Sequence, residues 1–188
     1  MAGDYVADEL IMLAELEWIL VRNVRGDPMQ PTFVSEAARL IGVPLPIEPN
    51  TTMRCSGVIV LWLGPKSWLA VFERDAIAAD FDATRATLNA AGGALFDVSS
   101  SYVGWKVSGP DTARMLNRSC PLDFHRHAFA PGACAQSLLG HVNALYYRPS
   151  EADEFVVIVA RSFAVDAWEN LCAAAATDGY RVGPRAGF

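Results

Sequence analysis

His125 and His127 flank Arg126, and two imidazoles spaced this closely in a loop could meet one metal ion. A metal site needs further ligands to close it, and no third donor lies near them in sequence, so the pair reads as part of a solvent-exposed loop. His141 sits beside Gly140 in a predicted hairpin and suits a turn better than a general base. Ser99, Ser100 and Ser101 follow Asp97 closely, yet no Gly-x-Ser-x-Gly elbow lifts any of them into a nucleophile's position. Capping and turn formation are their expected work. Asp97, Asp123 and Arg161 fall at the ends of apolar elements, where they could line a cleft between two halves of the chain. A carboxylate there could hold the polar end of a pterin-like ligand; capping a helix or pairing with an arginine is the reading preferred. Trp18, Trp62, Trp68, Trp105 and Trp168 have the spacings of core or interface positions, and nothing in the sequence brings their rings together into a cage for a methylated amine.

Cys55, Cys120, Cys134 and Cys172 are scattered with no Cys-x-x-Cys pair, which argues against zinc, an iron-sulfur cluster or a redox dithiol and predicts buried thiols. A Gly-x-Gly-x-x-Gly turn and a Walker phosphate loop are both missing, so nucleotides are not expected by the usual routes. The sequence therefore assigns no catalytic, cofactor-binding or metal-ligating residue to the chain.

The 188 residues suffice for one large domain or two small units sharing a core, and a 52% hydrophobic, 19% charged composition predicts a folded chain with apolar surface available for a partner. Fifteen basic against twenty-one acidic residues give a net charge of -6 without a basic cluster, which disfavours nucleic acid. Asp4, Asp8, Glu9, Glu15 and Glu17 stand where a signal peptide would need a basic region and an apolar core. No stretch is long and apolar enough to span a bilayer, so a cytoplasmic location without membrane contact is the expectation.

The elements that would position these residues follow from the patterning. Residues 16–24 read as a strand, 32–41 as a short helix stopped by Gly42, and 44–49 as a Pro-rich loop. Strands at 58–63 and 68–72 turn across Gly64-Pro65-Lys66-Ser67; a helix at 75–91 ends at Gly92-Gly93, and 94–98 is a strand. A strand at 102–107 leads through Ser108-Gly109-Pro110 into a predicted helix at 110–118, with Pro110 at its first position, Asp111 in its first turn and Pro121 beyond its end. Strands at 134–139 and 142–147 flank Gly140, another covers 155–160, Ser162 can cap a helix running to about 176, and 180–182 is a last strand. The order predicts an α+β protein of two tandem ferredoxin-like β-α-β-β-α-β units, the second with one strand beyond the ideal. The first unit would span 1–101 with an N-terminal extension and the second 102–188, the two forming one compact domain.

Several ordered segments carry a family resemblance. They are Gly42-Val43-Pro44-Leu45-Pro46, the run from Leu61 to Leu69, Asp97-Val98-Ser99, Ser108-Gly109-Pro110 through Leu116, and Cys120-Pro121-Leu122-Asp123. Phe129 through Ser137 and Val159-Ala160-Arg161-Ser162-Phe163-Ala164 with Trp168 complete the set. In this order they resemble the gamma subunit of heterotetrameric sarcosine oxidase. Lys66-Ser67 departs from the acidic pair expected before Trp68, and Ser137 from a usual Thr, which leaves room for a sister complex such as N-methylglutamate dehydrogenase. The resemblance implies a fold like the folate-binding aminomethyltransferases and a non-catalytic, structural place beside alpha, beta and delta subunits. That complex oxidatively demethylates sarcosine to glycine and passes the one-carbon unit to tetrahydrofolate. FAD, FMN, NAD, tetrahydrofolate and zinc would all be held by partner chains. A free-standing folate-binding one-carbon protein is the competing expectation, motivated by the implied fold and Asp97.

Overall fold

The computed structural model describes residues 10–17, 20–73 and 80–188. In chain order the elements are β1 (Ile11–Glu15), β2 (Leu20–Arg25), α1 (Pro31–Ile41), β3 (Thr52–Cys55), β4 (Val58–Gly64), β5 (Ser67–Phe72), α2 (Phe81–Ala90) and β6 (Ala94–Asp97). They continue with β7 (Tyr102–Ser108), α3 (Thr112–Leu116), β8 (Cys134–Leu139), β9 (Val142–Tyr147), β10 (Glu154–Ala160), a 3-10 turn at Arg161–Phe163, α4 (Ala164–Ala175) and β11 (Tyr180–Val182). The chain divides into two units, Trp18–Ser99 and Met1–Glu17 with Ser100–Phe188.

In the unit Trp18–Ser99, five antiparallel strands lie in the order β3-β4-β5-β2-β6. Period-two alternation sends Val24, Val60, Trp68 and Ala70 into a core with Phe33, Ala37 and Ile41 of α1 and Leu88 of α2. Those three α1 residues, spaced four apart, fall on one face, as a helical repeat requires. Pro31 opens α1 where its missing N–H costs nothing, and Gly42, at φ 84°, closes it by donating its N–H to the Ala38 carbonyl. Gly26 and Gly93 serve packing rather than turning: a Cβ on either would run into the buried Phe33 ring.

The other unit has six strands in the order β11-β1-β7-β10-β9-β8, antiparallel except for the parallel pair β1 and β11. Leu13 pairs with Val107 of β7 and Val182 of β11. One face packs on Ala167, Leu171, Ala174 and Ala175 of α4. Phe124 anchors the loop before β8 edge-on against Tyr146 and Phe155, at centroid distances of 4.9 and 5.3 Å.

Several expectations are corrected here. The N-terminal segment, assigned by sequence to the first unit as an extension, supplies β1 to the second unit's sheet. The tandem pattern breaks at that point, because β1 takes the place beside β7 that a repeat would give to β11. The reason lies in the side chains: Ile11 and Leu13 fill a buried central position, whereas all three residues of β11 are exposed and suit an edge. β3 is a further unforeseen edge strand, with three of its four residues exposed. The helix expected at 110–118 shrinks to Thr112–Leu116, since Asp111, at φ 62°, has a left-handed backbone that a helix cannot pass through. Pro110 therefore precedes the helix, and Asp111 is its N-cap. α2 begins at Phe81, with the Asp80 carboxylate accepting from the Ala83 N–H at 2.8 Å; the expected start at residue 75 lies outside the described residues. Ser162 lies in the 3-10 turn and does not cap α4, whose N-cap is Phe163. β2 starts at Leu20, and Leu16 instead bridges to Ala186.

Candidate functional site

Asp97, Ser99, Asp123 and Arg161, singled out from sequence, are engaged with nearby chain. Asp97 ends β6 opposite Arg22 of β2 and accepts from the Ser99 hydroxyl at 2.7 Å and the Ser99 N–H at 2.9 Å. These bonds, with the Arg22 charge, hold its carboxyl below the usual range. The Ser99 oxygen also accepts from the Val21 N–H at 2.9 Å, so Asp97-Val98-Ser99 is a backbone tie between the end of β6 and β2. Arg161 grips the turn that starts β7: its Nε donates to the Ser100 carbonyl at 2.7 Å and its Nη2 to the Tyr102 carbonyl at 3.0 Å. Asp123 accepts from the His125 N–H at 2.8 Å, an Asx turn in an exposed loop.

The His125 and His127 rings lie 5.1 Å apart on that loop, and His125 lines a recess with Asp111, Asn117, Asp123 and Asp153. Among the described residues no three histidine, cysteine or carboxylate side chains are arranged to hold a metal ion. His141 occupies the β8–β9 turn after Gly140. The four thiols are free; Cys120 and Cys134 are buried and Cys172 half-buried, but Cys55 is exposed, correcting its expected burial, because it ends the edge strand β3. Lys66, one of the two departures from the family pattern, pairs with Asp27 at 2.8 Å, and this bond lowers the Asp27 pKa. Ser137 stands on the outer strand β8.

Two buried arginines escaped the sequence reading. Arg22 lies over the rings of Phe72 and Phe81 at 5.5 and 5.3 Å, and burial lowers its pKa while Asp97 and Asp80 oppose that shift. An arginine inside the apolar run 20–24 was the available signal. Arg148, 2% exposed, donates to the Phe129 carbonyl at 3.1 Å and lies 5.2 Å from the Phe155 ring centroid, fastening the loop before β8.

A groove of about 480 Å³ lies in the unit that holds α4. Trp105 of β7 and Trp168 of α4 stack beneath it, with centroids 6.1 Å apart and planes 29° from parallel. Val103, Val165 and Val182 extend the apolar lining, and Val165 and Val182 are 70% and 63% exposed. Arg161, Glu169, Glu15 and Arg185 contribute the polar groups, the last two paired at 3.2 Å. Only Trp105, Trp168 and Arg161 of this set were singled out from sequence. Glu15, Val182 and Arg185 join them through the pairing of β1 with β7 and β11, which no local pattern announces. Trp105 is 5% exposed, so its ring is packing rather than the open face that an aromatic cage would need. Arg161 is fixed by carbonyls and has no ion-pair partner among the described residues. The groove thus presents apolar surface, one fixed cation and one carboxylate.

Among the described residues no helix is long and apolar enough to cross a membrane. The family model for the gamma subunit of sarcosine oxidase matches residues 25–177. Sarcosine oxidase subunit gamma of Arthrobacter sp is 29% identical over 149 residues, 78% of this chain and 71% of its own length. The Corynebacterium sp. (strain P-1) counterpart is 28% identical over the same spans. In three dimensions the chain is similar to one in the heterotetrameric sarcosine oxidase from Corynebacterium sp. U-96 in complex with pyrrole 2-carboxylate. That match has a TM-score of 0.78 and 25% identity, and covers 94% of this chain and 89% of that one. The glycine cleavage system aminomethyltransferase T from Bartonella henselae shares the fold at a TM-score of 0.60 and 14% identity, over 94% of this chain and 48% of that one.

Proposed function

From the premise that the chain belongs to the sarcosine oxidase gamma subunit family, we propose that it is the non-catalytic, assembly-bearing subunit of a heterotetrameric sarcosine oxidase. Its partners in this reading are alpha, beta and delta chains, and the complex oxidatively demethylates sarcosine to glycine with transfer of the one-carbon unit to tetrahydrofolate. FAD, FMN, NAD, tetrahydrofolate and zinc belong to those partners. Both units are read as variants of a ferredoxin-like plan, the second rebuilt around β1.

The observation that carries the reading is how the chemically able side chains are engaged. Asp97 is tied to Ser99, Arg161 to the Ser100 and Tyr102 carbonyls, and Asp123 to the His125 backbone. A general acid, base or nucleophile has to reach a reacting atom within hydrogen-bond distance, and these groups are directed to their own backbone. The test is turnover by the assembled complex. Asp123→Asn and the pair His125→Ala, His127→Ala should leave kcat for sarcosine within about twofold of wild type, because less than about 0.4 kcal/mol of barrier is at stake. A tenfold fall in kcat with assembly intact would overturn the non-catalytic role.

The second reading, a free-standing folate-binding protein, is favoured by the fold shared with aminomethyltransferase T. Titrating the isolated chain with a reduced folate and reading its tryptophan fluorescence separates the two. Saturable quenching supports the second reading, and a flat trace at millimolar ligand supports the first.

A further inference from the structure

We propose that the groove between α4 and the β1–β11 side of the sheet is the surface on which a partner subunit of the complex docks. It would receive an extended segment with an apolar side chain over Trp168, a carboxylate toward Arg161 and a cation toward Glu169. This rests on the assembly role above and names the face that performs it.

Four features meet there. Val165 and Val182 are 70% and 63% exposed and line one concavity, so two of the most exposed apolar side chains share a site instead of being scattered singly. The stacked Trp105–Trp168 pair beneath them gives a rigid aromatic base, of the kind that anchors interfaces. The charges are complementary to a segment of defined polarity. Arg161 uses Nε and Nη2 on carbonyls, and among the described residues neither Arg161 nor Glu169 has an ion-pair partner, whereas Glu15 and Arg185 neutralise each other. A fixed cation and a separate carboxylate beside an apolar floor select a ligand that carries the opposite charges. Finally, among the described residues β11 pairs with β1 alone, so the rim of the groove is an edge strand with main-chain groups available to an extended segment.

The experiment is co-expression of the chain with the other subunits of its complex, with the affinity tag on the largest. Captured chain is quantified against that subunit, and the thermal midpoint of each isolated variant is measured beside it. Val165→Glu with Val182→Glu should cut capture at least tenfold while the midpoint stays at the wild-type value, since both positions are largely exposed. Glu169→Lys should also lower capture. Met29→Glu, 84% exposed in the other unit, is the control and should be captured like wild type. Wild-type capture of the valine double variant would overturn the groove while leaving the assembly role standing. Failure to capture the wild-type chain would overturn both. Concentration-dependent self-association of the isolated chain that the double variant abolishes would reassign the groove to a second copy, overturning the proposal.

Discussion

Replacing Gly93 by alanine drives a methyl group into the ring of Phe33. The new Cβ would stand 2.5 and 2.6 Å from two ring carbons and 3.0 Å from the Arg25 carbonyl oxygen. The ring has little freedom to retreat: it is fully buried and lies 6.0 Å from the Trp68 ring. Overpacking of this kind costs about 1–3 kcal/mol. Alanine recovers up to about 1 kcal/mol by restricting the unfolded chain, so a net loss of about 1–2 kcal/mol is expected. Phe33→Leu alone should cost about 1–2 kcal/mol through lost apolar burial and a residual cavity. In the double variant the added methyl occupies space the smaller side chain vacates, so the two costs should fall short of additivity by at least about 1 kcal/mol. The Arg25 carbonyl contact persists, which keeps the rescue partial. Urea unfolding of the four proteins, read by tryptophan fluorescence, closes the cycle. Losses that add to within about 0.3 kcal/mol would refute the claim that Gly93 exists to admit Phe33.

Three further outcomes follow from the structure. Asp178 receives a 2.5 Å bond from Arg118 and a 3.1 Å bond from Arg114, clasping the end of α4 to α3, and the Arg118 bond is the main cause of its lowered pKa. Its contribution is thus full above the unfolded carboxyl value near 3.9 and disappears as pH falls through the lower folded value. Asp178→Asn should lose about 1 kcal/mol at pH 7 and flatten that acid limb in unfolding experiments run as a function of pH. Trp68 donates its indole N–H to the Pro46 carbonyl at 2.7 Å, pinning the Pro-rich loop to the core, so Trp68→Phe should cost about 2–4 kcal/mol by calorimetry, combining an orphaned acceptor with a cavity. Cys55 should react with a disulfide reagent in seconds to minutes under native conditions, while Cys120 and Cys134 wait for unfolding; peptide mapping of the labelled protein checks this order.

What could be read in the sequence was what local physics decides. The hairpin of β8 and β9 falls where alternation and Gly140 put it, and the helix read at 32–41 with its stop at Gly42 is α1, one residue longer at its start. Turn formation was the expected work of Ser99, and its hydroxyl does tie Asp97 to Val21. What escaped depends on distant partners. β1 is a short segment among acidic residues whose strand character comes from pairing with β7 and β11. α3 was overestimated because propensity cannot foresee the left-handed backbone at Asp111. The Trp105–Trp168 stack joins residues far apart in the chain, so the groove was invisible until the sheet was assembled.

The central claim is that this chain works as a docked, non-catalytic subunit, and its most direct test is purification of the tagged chain from its own host. The expected result is elution as a heteromeric assembly that contains a flavoprotein, oxidises sarcosine and holds this 20.3 kDa chain in equal ratio with its partners. Elution of a stable, flavin-free 20.3 kDa monomer as the sole native form would contradict it.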